Sequence, residues 1–260
     1  MVLQRCKRVP LAALLCLCLL WCGLTVRAQA AETTGGPPEK ASREITYLGR
    51  GGQAPVHQED APAEDPARGE TGEDSWRLLL INGDCPLPKN FSQPELADVG
   101  GGQLVDVRIA DALRRMLGDA RQAGLHPIIC SAYRTEAKQT QLHQRKVRYY
   151  LSQGYSKSRA EEAAAFWVAR PGTSEHQAGL AVDIVSREYQ ILDAGQENTA
   201  VQQWLMAHCA EYGFILRYPT DKSAVTNVGY EPWHYRYVGE AAAREMADRG
   251  LCLEEYLAAA

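Results

Sequence analysis

Residues 173–184 read TSEHQAGLAVDI, and this stretch places a histidine, His176, seven positions before an aspartate, Asp183. On a helix, side chains seven positions apart are separated by about 10.5 Å of rise. On a strand, side chains seven positions apart point to opposite faces. Neither geometry lets both side chains bind one ion. Gly179 lies between them and permits a break in the chain direction, so we predict a loop that carries His176, followed by a strand that carries Asp183.

A second stretch, EPWHYRYV at 231–238, carries another histidine and another carboxylate. Pro232 favours extended backbone at Glu231, and His234 follows three positions later. Two imidazoles and the carboxylate of Asp183 are a ligand set that suits zinc with an open fourth position. Glu231 is then free to take a proton from an attacking water. The alternative is structural, with His234 in the core beside Trp233 and Glu231 as a hydrogen-bonded strand end.

A third polar stretch, SAYRT at 131–135, follows an apolar run that resembles a strand. Arginine binds carboxylates through two parallel hydrogen bonds, so Arg134 is a candidate clamp for the free C-terminus of a substrate. The alternative is an ordinary surface salt bridge.

The other four histidines lack an obvious acidic partner nearby and are expected to be structural or solvated; they are His57, His126, His143 and His208.

Apolar periodicity predicts helices and strands that mix without strict βαβ alternation. This order favours an α+β fold with a small central, mostly antiparallel sheet flanked by helices, and with the zinc site on the sheet. We predict strands in 76–82, 126–134, 180–185, 214–219 and 231–239, and helices in 103–125, 135–154, 156–170, 199–213 and 240–250.

The 260-residue chain divides into three segments by composition. Residues 1–30 combine Arg5, Lys7 and Arg8 with an uncharged apolar run and end on small residues, which is typical of a secretory signal cleaved after Ala30; an uncleaved membrane anchor is the alternative. Residues 31–75 are rich in Gly, Pro and charged residues and predict a disordered linker. Residues 76–260 are predicted to form the folded domain, outside the cytoplasm.

Charge and cysteine content narrow the classes of function. The net charge of −4 is not the basic excess of a nucleic-acid-binding protein, so no nucleic acid is expected. Four cysteines lie after the leader, at Cys85, Cys130, Cys209 and Cys252. They form no C-x-x-C pair, which argues against a structural zinc knuckle. One or two disulfides and buried free thiols remain equal alternatives.

The three stretches occur in one order: S-x-Y-R, then S-x-H-x-x-G-x-A-x-D, then E-x-W-H. In this order they resemble the VanY-type D-alanyl-D-alanine carboxypeptidases, a zinc peptidase group that shares the Hedgehog-like fold. The resemblance runs from about Leu78 to Leu257, and Ala132 stands where the family motif often has glycine. It implies that His176, Asp183 and His234 bind zinc, that Glu231 is the catalytic base, and that Arg134, Gln139, Ser174 and Ser131 contact the substrate.

The resemblance also implies the activity, which is removal of the C-terminal D-Ala from peptidoglycan stem peptides that end in D-Ala-D-Ala. Zinc would polarise the scissile carbonyl and Glu231 would move the proton. Alternatives are an L,D-carboxypeptidase, a wall endopeptidase, or a non-catalytic zinc module that binds the cell wall. The expected location is the bacterial cell envelope, either secreted or anchored through the N-terminus. No symmetric interface is evident, so a monomer is the default expectation.

Overall fold

The computed structural model describes residues 75–259. The predicted leader at 1–30 lies outside the described residues, as does the predicted linker at 31–75 apart from Ser75. Within the described part, no helix has the length and apolar character that crossing a membrane requires. The elements in chain order are β1 (Leu96–Asp98), β2 (Leu104–Asp106), α1 (Val107–Gln122), β3 (Pro127–Ser131), α2 (Glu136–Ser152), α3 (Lys157–Ala165), β4 (Ala181–Ser186), α4 (Ala200–His208), β5 (Phe214–Leu216), α5 (Ser223–Thr226), β6 (His234–Tyr237), α6 (Glu240–Arg249) and α7 (Leu253–Ala259). Three 3-10 helices join them at Glu175–Ala178, Ala194–Asn198 and Cys209–Tyr212.

The central sheet has four strands in the order β3-β4-β6-β5, and every neighbouring pair is antiparallel. A separate antiparallel pair is formed by β1 and β2. The fold is therefore α+β with a small antiparallel sheet and surrounding helices, and the predicted fold class is confirmed.

The core forms between the sheet and α1. The apolar face of α1 carries Ile109, Leu113, Met116 and Leu117, which are at most 2% exposed and belong to the same cluster as the sheet residues. All six residues of β4 are buried, as expected for a central strand covered on both sides. Strands β4 and β6, which carry Asp183 and His234, are neighbours in the middle of this sheet.

The predicted strand at 76–82 is wrong, because no strand forms there. Two backbone carbonyls of this segment accept from a side chain instead. The Arg236 guanidinium donates from Nη2 to the carbonyls of Arg77 and Leu79, at 2.9 and 2.8 Å. The apolar run therefore contacts β6 through Arg236 without joining the sheet.

Two predicted helices are shorter than their sequence pattern. The helix predicted at 103–125 begins at Val107, because residues 104–106 pair with β1 and the Asp106 carboxylate accepts the Arg108 N–H as an N-cap. The helix predicted at 156–170 ends at Ala165. The thiols of Cys130, Cys209 and Cys252 are free; Cys209 and Cys252 are buried, as the buried-thiol alternative expects, whereas Cys130 is exposed.

Candidate metal centre and active site

Strand register brings two of the predicted ligands together. Asp183 on β4 is the cross-strand partner of His234 on β6, and directly opposite side chains on one face have Cβ atoms about 5 Å apart. His176 comes from the 3-10 helix Glu175–Ala178, which ends at Gly179 with φ +70°. This left-handed turn is the break that the seven-residue spacing requires, and it returns the chain into β4 beside His234.

Gly179 is required for space as well as for its conformation. A Cβ at this position would lie 2.8 Å from the backbone nitrogen of Asp106. That nitrogen donates to the Gly179 carbonyl at 3.0 Å, so the β2–α1 junction is held directly against the loop of His176. A side chain here would push the two segments apart.

His176 is oriented by a backbone carbonyl. Its Nδ1 lies 2.8 Å from the carbonyl oxygen of Ala132, and because a carbonyl only accepts, Nδ1 carries the proton. Nε2 is then left with a free lone pair, and it lies 3.3 Å from Asp183 Oδ1. This is the tautomer that a metal ligand needs.

His234 is oriented by a buried carboxylate. Its Nε2 lies 3.4 Å from Glu175 Oε2, and its Nδ1 lies 3.1 Å from Asp183 Oδ1. A proton on Nε2 that is donated to Glu175 leaves the Nδ1 lone pair facing Asp183. The two imidazole rings are perpendicular, with an interplanar angle of 88° and centroids 4.9 Å apart.

Asp183 carries the strongest evidence that this cluster fits a metal ion. One ligand atom each from His176, Asp183 and His234 lies within 4.8 Å of the others. Asp183 Oδ2 pairs with Arg134, but Oδ1 is buried and has no hydrogen-bond partner. A buried carboxylate oxygen without a partner is costly. Two nitrogen ligands and one oxygen ligand around it match the chemistry of zinc.

Charge is divided unevenly over the cluster. Burial lowers the pKa of His176 to about 4, and the nearby Arg134 charge adds to this effect. Burial also opposes the charge on His234, but the carboxylates of Asp183 and Glu175 outweigh it and raise the pKa of His234 to about 9. The raised pKa means that His234 gains a second proton readily in the absence of a metal ion, and binding a metal ion through Nδ1 requires the neutral ring.

Glu231 lies at the edge of the cluster. Its Oε2 is 3.6 Å from His234 Nδ1, and its backbone N–H donates to the Tyr218 carbonyl at 3.1 Å. Burial raises the pKa of Glu231 to about 8, with the His234 charge opposing. A carboxyl group with a pKa near neutrality can both accept and release a proton during a reaction.

Arg134 connects the cluster to the predicted substrate residues. Its Nε donates to Ser131 Oγ at 2.8 Å, its Nη1 lies 3.5 Å from Gln139 Oε1, and its Nη2 pairs with Asp183. Arg134 and Ser174 line a cavity of about 820 Å³ that also contains the His176, Asp183, Glu231 and His234 side chains. Gln139 and Ser131 do not line this cavity, and their contacts instead hold the Arg134 side chain.

The sequence did not point to Glu175, although it neighbours His176 in the motif. Glu175 is 1% exposed, and its Oε1 accepts from Arg217 Nε at 2.7 Å and from Arg236 Nη1 at 2.8 Å. Acidic and basic residues far apart in sequence gave no signal of a buried pairing. Of the remaining histidines, His143 bonds to the Val168 carbonyl, as expected for a structural residue, whereas His208 pairs with Glu211, an acidic neighbour three positions later that was not predicted.

Comparison with known proteins agrees with this geometry. Residues 102–240 match the VanY family, described as D-alanyl-D-alanine carboxypeptidase. A D-alanyl-D-alanine carboxypeptidase of Enterococcus faecalis is 41% identical over 241 residues, which cover 92% of this chain and 85% of that protein. The putative carboxypeptidase YodJ of Bacillus subtilis is 36% identical and covers 69% of this chain and 66% of its own.

Solved structures show the same likeness. VanYB in complex with D-alanine-D-alanine is 44% identical with a TM-score of 0.65, covering 70% of this chain and 97% of that one. A mutant of the vancomycin-resistance D,D-pentapeptidase VanY from a VanB-type cassette, in complex with Zn(II), is 45% identical with a TM-score of 0.64, covering 70% and 99%. The matched family model, the fold and the site motifs agree, and this chain belongs to the VanY family of D-alanyl-D-alanine carboxypeptidases.

Proposed function

We propose that this protein is a zinc-dependent carboxypeptidase that removes the C-terminal D-Ala from peptidoglycan stem peptides ending in D-Ala-D-Ala. The observation that carries the proposal is the convergence of His176, Asp183 and His234, with Glu231 and Arg134 beside them. His176, Asp183 and His234 are the proposed zinc ligands. Zinc at this position supplies a Lewis acid for the attacking water and the scissile carbonyl.

Glu231 is the proposed proton carrier. Its carboxylate accepts the proton of the attacking water and delivers it to the amine of the departing D-Ala. The side chain is buried and only 3.6 Å from His234 Nδ1, so it reaches the same point in space as the ligands. It is not required as a ligand, because three protein ligands leave one position open.

Arg134 is the proposed clamp for the terminal carboxylate. Its contacts with Ser131, Gln139 and Asp183 use one N–H from each of its three nitrogens. Nη1 and Nη2 each keep one further N–H, which is the number of donors that two-pronged carboxylate recognition requires. Only a chain end presents a carboxylate there, so the clamp makes the enzyme an exopeptidase. Ser131 and Gln139 are assigned to positioning Arg134, and Ser174 to the cavity wall.

The proposed location follows from the substrate and the N-terminus, and a monomer is kept as the default because no symmetric interface is evident. Stem peptides lie outside the cytoplasm, and residues 1–30 have the pattern of an export signal or an anchor. We therefore propose action at the bacterial cell envelope as a monomer.

One experiment tests the proposed activity. Purified protein is incubated with penta- and tetrapeptide stems, with zinc or with a chelator, and the products are identified by mass. Loss of one D-Ala from the pentapeptide, abolished by the chelator and restored by zinc, is expected. Retention of both D-Ala residues under zinc-loaded conditions would contradict the proposal.

The second candidate is L,D-carboxypeptidase activity. The LdcB LD-carboxypeptidase is 35% identical with a TM-score of 0.59, a weaker likeness than that to VanYB. Hydrolysis of the tetrapeptide in preference to the pentapeptide would favour it. A non-catalytic zinc module needs neither Glu231 nor the Arg134 clamp, so hydrolysis of either peptide would exclude it.

A further inference from the structure

The cavity that contains the metal centre extends well beyond it. A second part of its wall is formed by one face of α2, at Leu142, Arg145, Lys146 and Tyr149. These positions are spaced three and four apart, which places them on one side of the helix. We call this part of the cavity the upstream arm. No hydrogen bond or ion pair described above joins these four α2 residues to the proposed zinc ligands or to Glu231, so the proposed chemistry does not account for them.

The length of α2 relates the upstream arm to the clamp. Gln139, near the start of α2, contacts Arg134, which is proposed to hold the terminal carboxylate. From Gln139 to Lys146 the helix rises about 10.5 Å. An extended peptide advances about 3.4 Å per residue, so Lys146 lies about three residues upstream of the substrate's terminal residue if the peptide runs along α2.

Lys146 is a cation among aromatic rings. Its Nζ lies 5.6, 5.7 and 5.8 Å from the ring centres of Tyr149, Tyr150 and Trp167, within the range of a cation–π contact. Among the described residues no carboxylate pairs with Lys146 or with Arg145. The rings hold the ammonium group in place and leave its charge without an anionic partner.

Tight packing holds the Trp167 ring in place. Gly229 packs against Trp167 so closely that a Cβ would lie 2.7 Å from the indole ring, and its N–H donates to the Phe166 carbonyl at 2.9 Å. Trp167 is nevertheless 39% exposed and Tyr149 54% exposed. Asp193 is a carboxylate on the wall of the same cavity and does not pair with Lys146. Its carboxylate instead accepts from the Tyr189 hydroxyl at 2.8 Å and from the Gly195 N–H at 2.9 Å.

We propose that the upstream arm binds the peptide segment that precedes the scissile bond, and that Lys146 selects substrates with a carboxylate about three residues before the terminal D-Ala. This specificity rests on the proposed function. We propose an anionic group because Lys146 is a cation without an anionic partner. We propose the substrate itself as the occupant because the cavity is continuous with the metal centre. Arg145, exposed on the same face, adds to the positive potential.

The test uses two pentapeptides that differ by one charge. The probes are L-Ala-γ-D-Glu-L-Lys-D-Ala-D-Ala, with the D-Glu α-carboxylate free, and the same peptide with that carboxylate amidated. Wild type is expected to prefer the free acid by about fivefold in kcat/KM, mostly through KM, because a partly exposed ion pair contributes a modest free energy. Lys146→Met is expected to reduce this ratio to about one.

The matched control is Arg148→Gln. Arg148 is on the same helix but lines a different cavity, so the variant is expected to keep the wild-type ratio. An acid-to-amide ratio of one in wild type, or a ratio in Lys146→Met equal to that in Arg148→Gln, would overturn the proposal.

Binding of both peptides to zinc-loaded Glu231→Gln protein by calorimetry gives the same ratio without turnover. Absence of hydrolysis in wild type contradicts the proposed function, whereas hydrolysis without charge preference contradicts the upstream arm alone.

Discussion

Two clusters of buried charge lie on either side of His234, and they differ in how their charges are paired. We call the first the arginine cluster; it consists of Glu175, Arg217, Arg236 and Glu254. Arg217 bonds to Glu254 through both terminal nitrogens at 2.8 and 2.7 Å, and Glu175 accepts from both arginines. Two positive and two negative side chains balance, and each has a partner.

The second is the metal cluster, which consists of Arg134, His176, Asp183, Glu231 and His234. It is also largely buried, but Asp183 Oδ1 has no hydrogen-bond partner, and all five side chains line the 820 Å³ cavity. The difference shows that complete pairing makes the arginine cluster a support, whereas incomplete pairing keeps the metal cluster available for a cation. His234 links the two clusters, because Glu175 contacts its Nε2 and Asp183 faces its Nδ1.

The largest expected effect is on turnover in the metal cluster. Glu231→Gln removes the proposed proton carrier and keeps the shape, so kcat should fall by about 10³-fold. Zinc content should stay at the wild-type value, because Glu231 is not a proposed ligand. Discontinuous assays on the pentapeptide measure kcat, and metal analysis of the same sample measures the zinc content. Wild-type turnover in the zinc-loaded variant would contradict the assignment of Glu231 as the proton carrier.

Next comes stability in the arginine cluster. Glu175→Gln leaves Arg217 and Arg236 buried with a neutral partner, and the free energy of unfolding should fall by about 3 kcal/mol. Urea denaturation of metal-free protein measures this. Glu245→Gln, on an exposed i,i+4 pair with Arg249, is the control and should change stability by under about 0.5 kcal/mol. Equal effects of the two variants would contradict the comparison.

Low pH should also lower the free energy of unfolding, because it removes the charge of Glu175 in the arginine cluster. Burial would raise the pKa of Glu175, but the charges of Arg217 and Arg236 outweigh it and hold that pKa well below its usual range. The stabilisation is therefore present above the unfolded-state pKa of about 4.3 and is lost as pH falls toward the folded-state pKa. Metal-free wild type should lose stability below about pH 4.3 more steeply than Glu175→Gln. Parallel losses would show that Glu175 is not the group that titrates.

A smaller effect is expected at the clamp. Arg134→Lys keeps the charge but loses the paired N–H groups, so KM for the pentapeptide should rise about tenfold. Its kcat should change less than in Glu231→Gln. Initial-rate kinetics separate the two parameters, and an unchanged KM would argue against carboxylate binding by Arg134.

The motif residues were predictable because local chemistry determines their positions. Gly179 indicated the break between His176 and Asp183, and the structure has φ +70° there. The α1 face also followed from its apolar spacing, since Ile109, Leu113 and Met116 are fully buried.

Other features depend on contacts between distant parts of the chain. The run at 76–82 has the pattern of a strand, but Arg236, 159 positions after Arg77, takes its carbonyls. Glu175 likewise acquires its role only through Arg217 and Arg236. From the sequence alone, Lys146 on α2 cannot be told from an ordinary surface lysine. Its contact with Trp167, against which Gly229 packs, forms only in the folded structure.

Zinc binding by the wild type and by two single variants tests the central claim most directly. Metal-free wild type, Asp183→Asn and Glu231→Gln are titrated with zinc by calorimetry against a competing chelator. One zinc per chain is expected for wild type and Glu231→Gln, with affinity reduced at least about a hundredfold in Asp183→Asn, because its unpartnered oxygen loses its charge. Wild-type affinity in Asp183→Asn would contradict the assignment of the metal cluster.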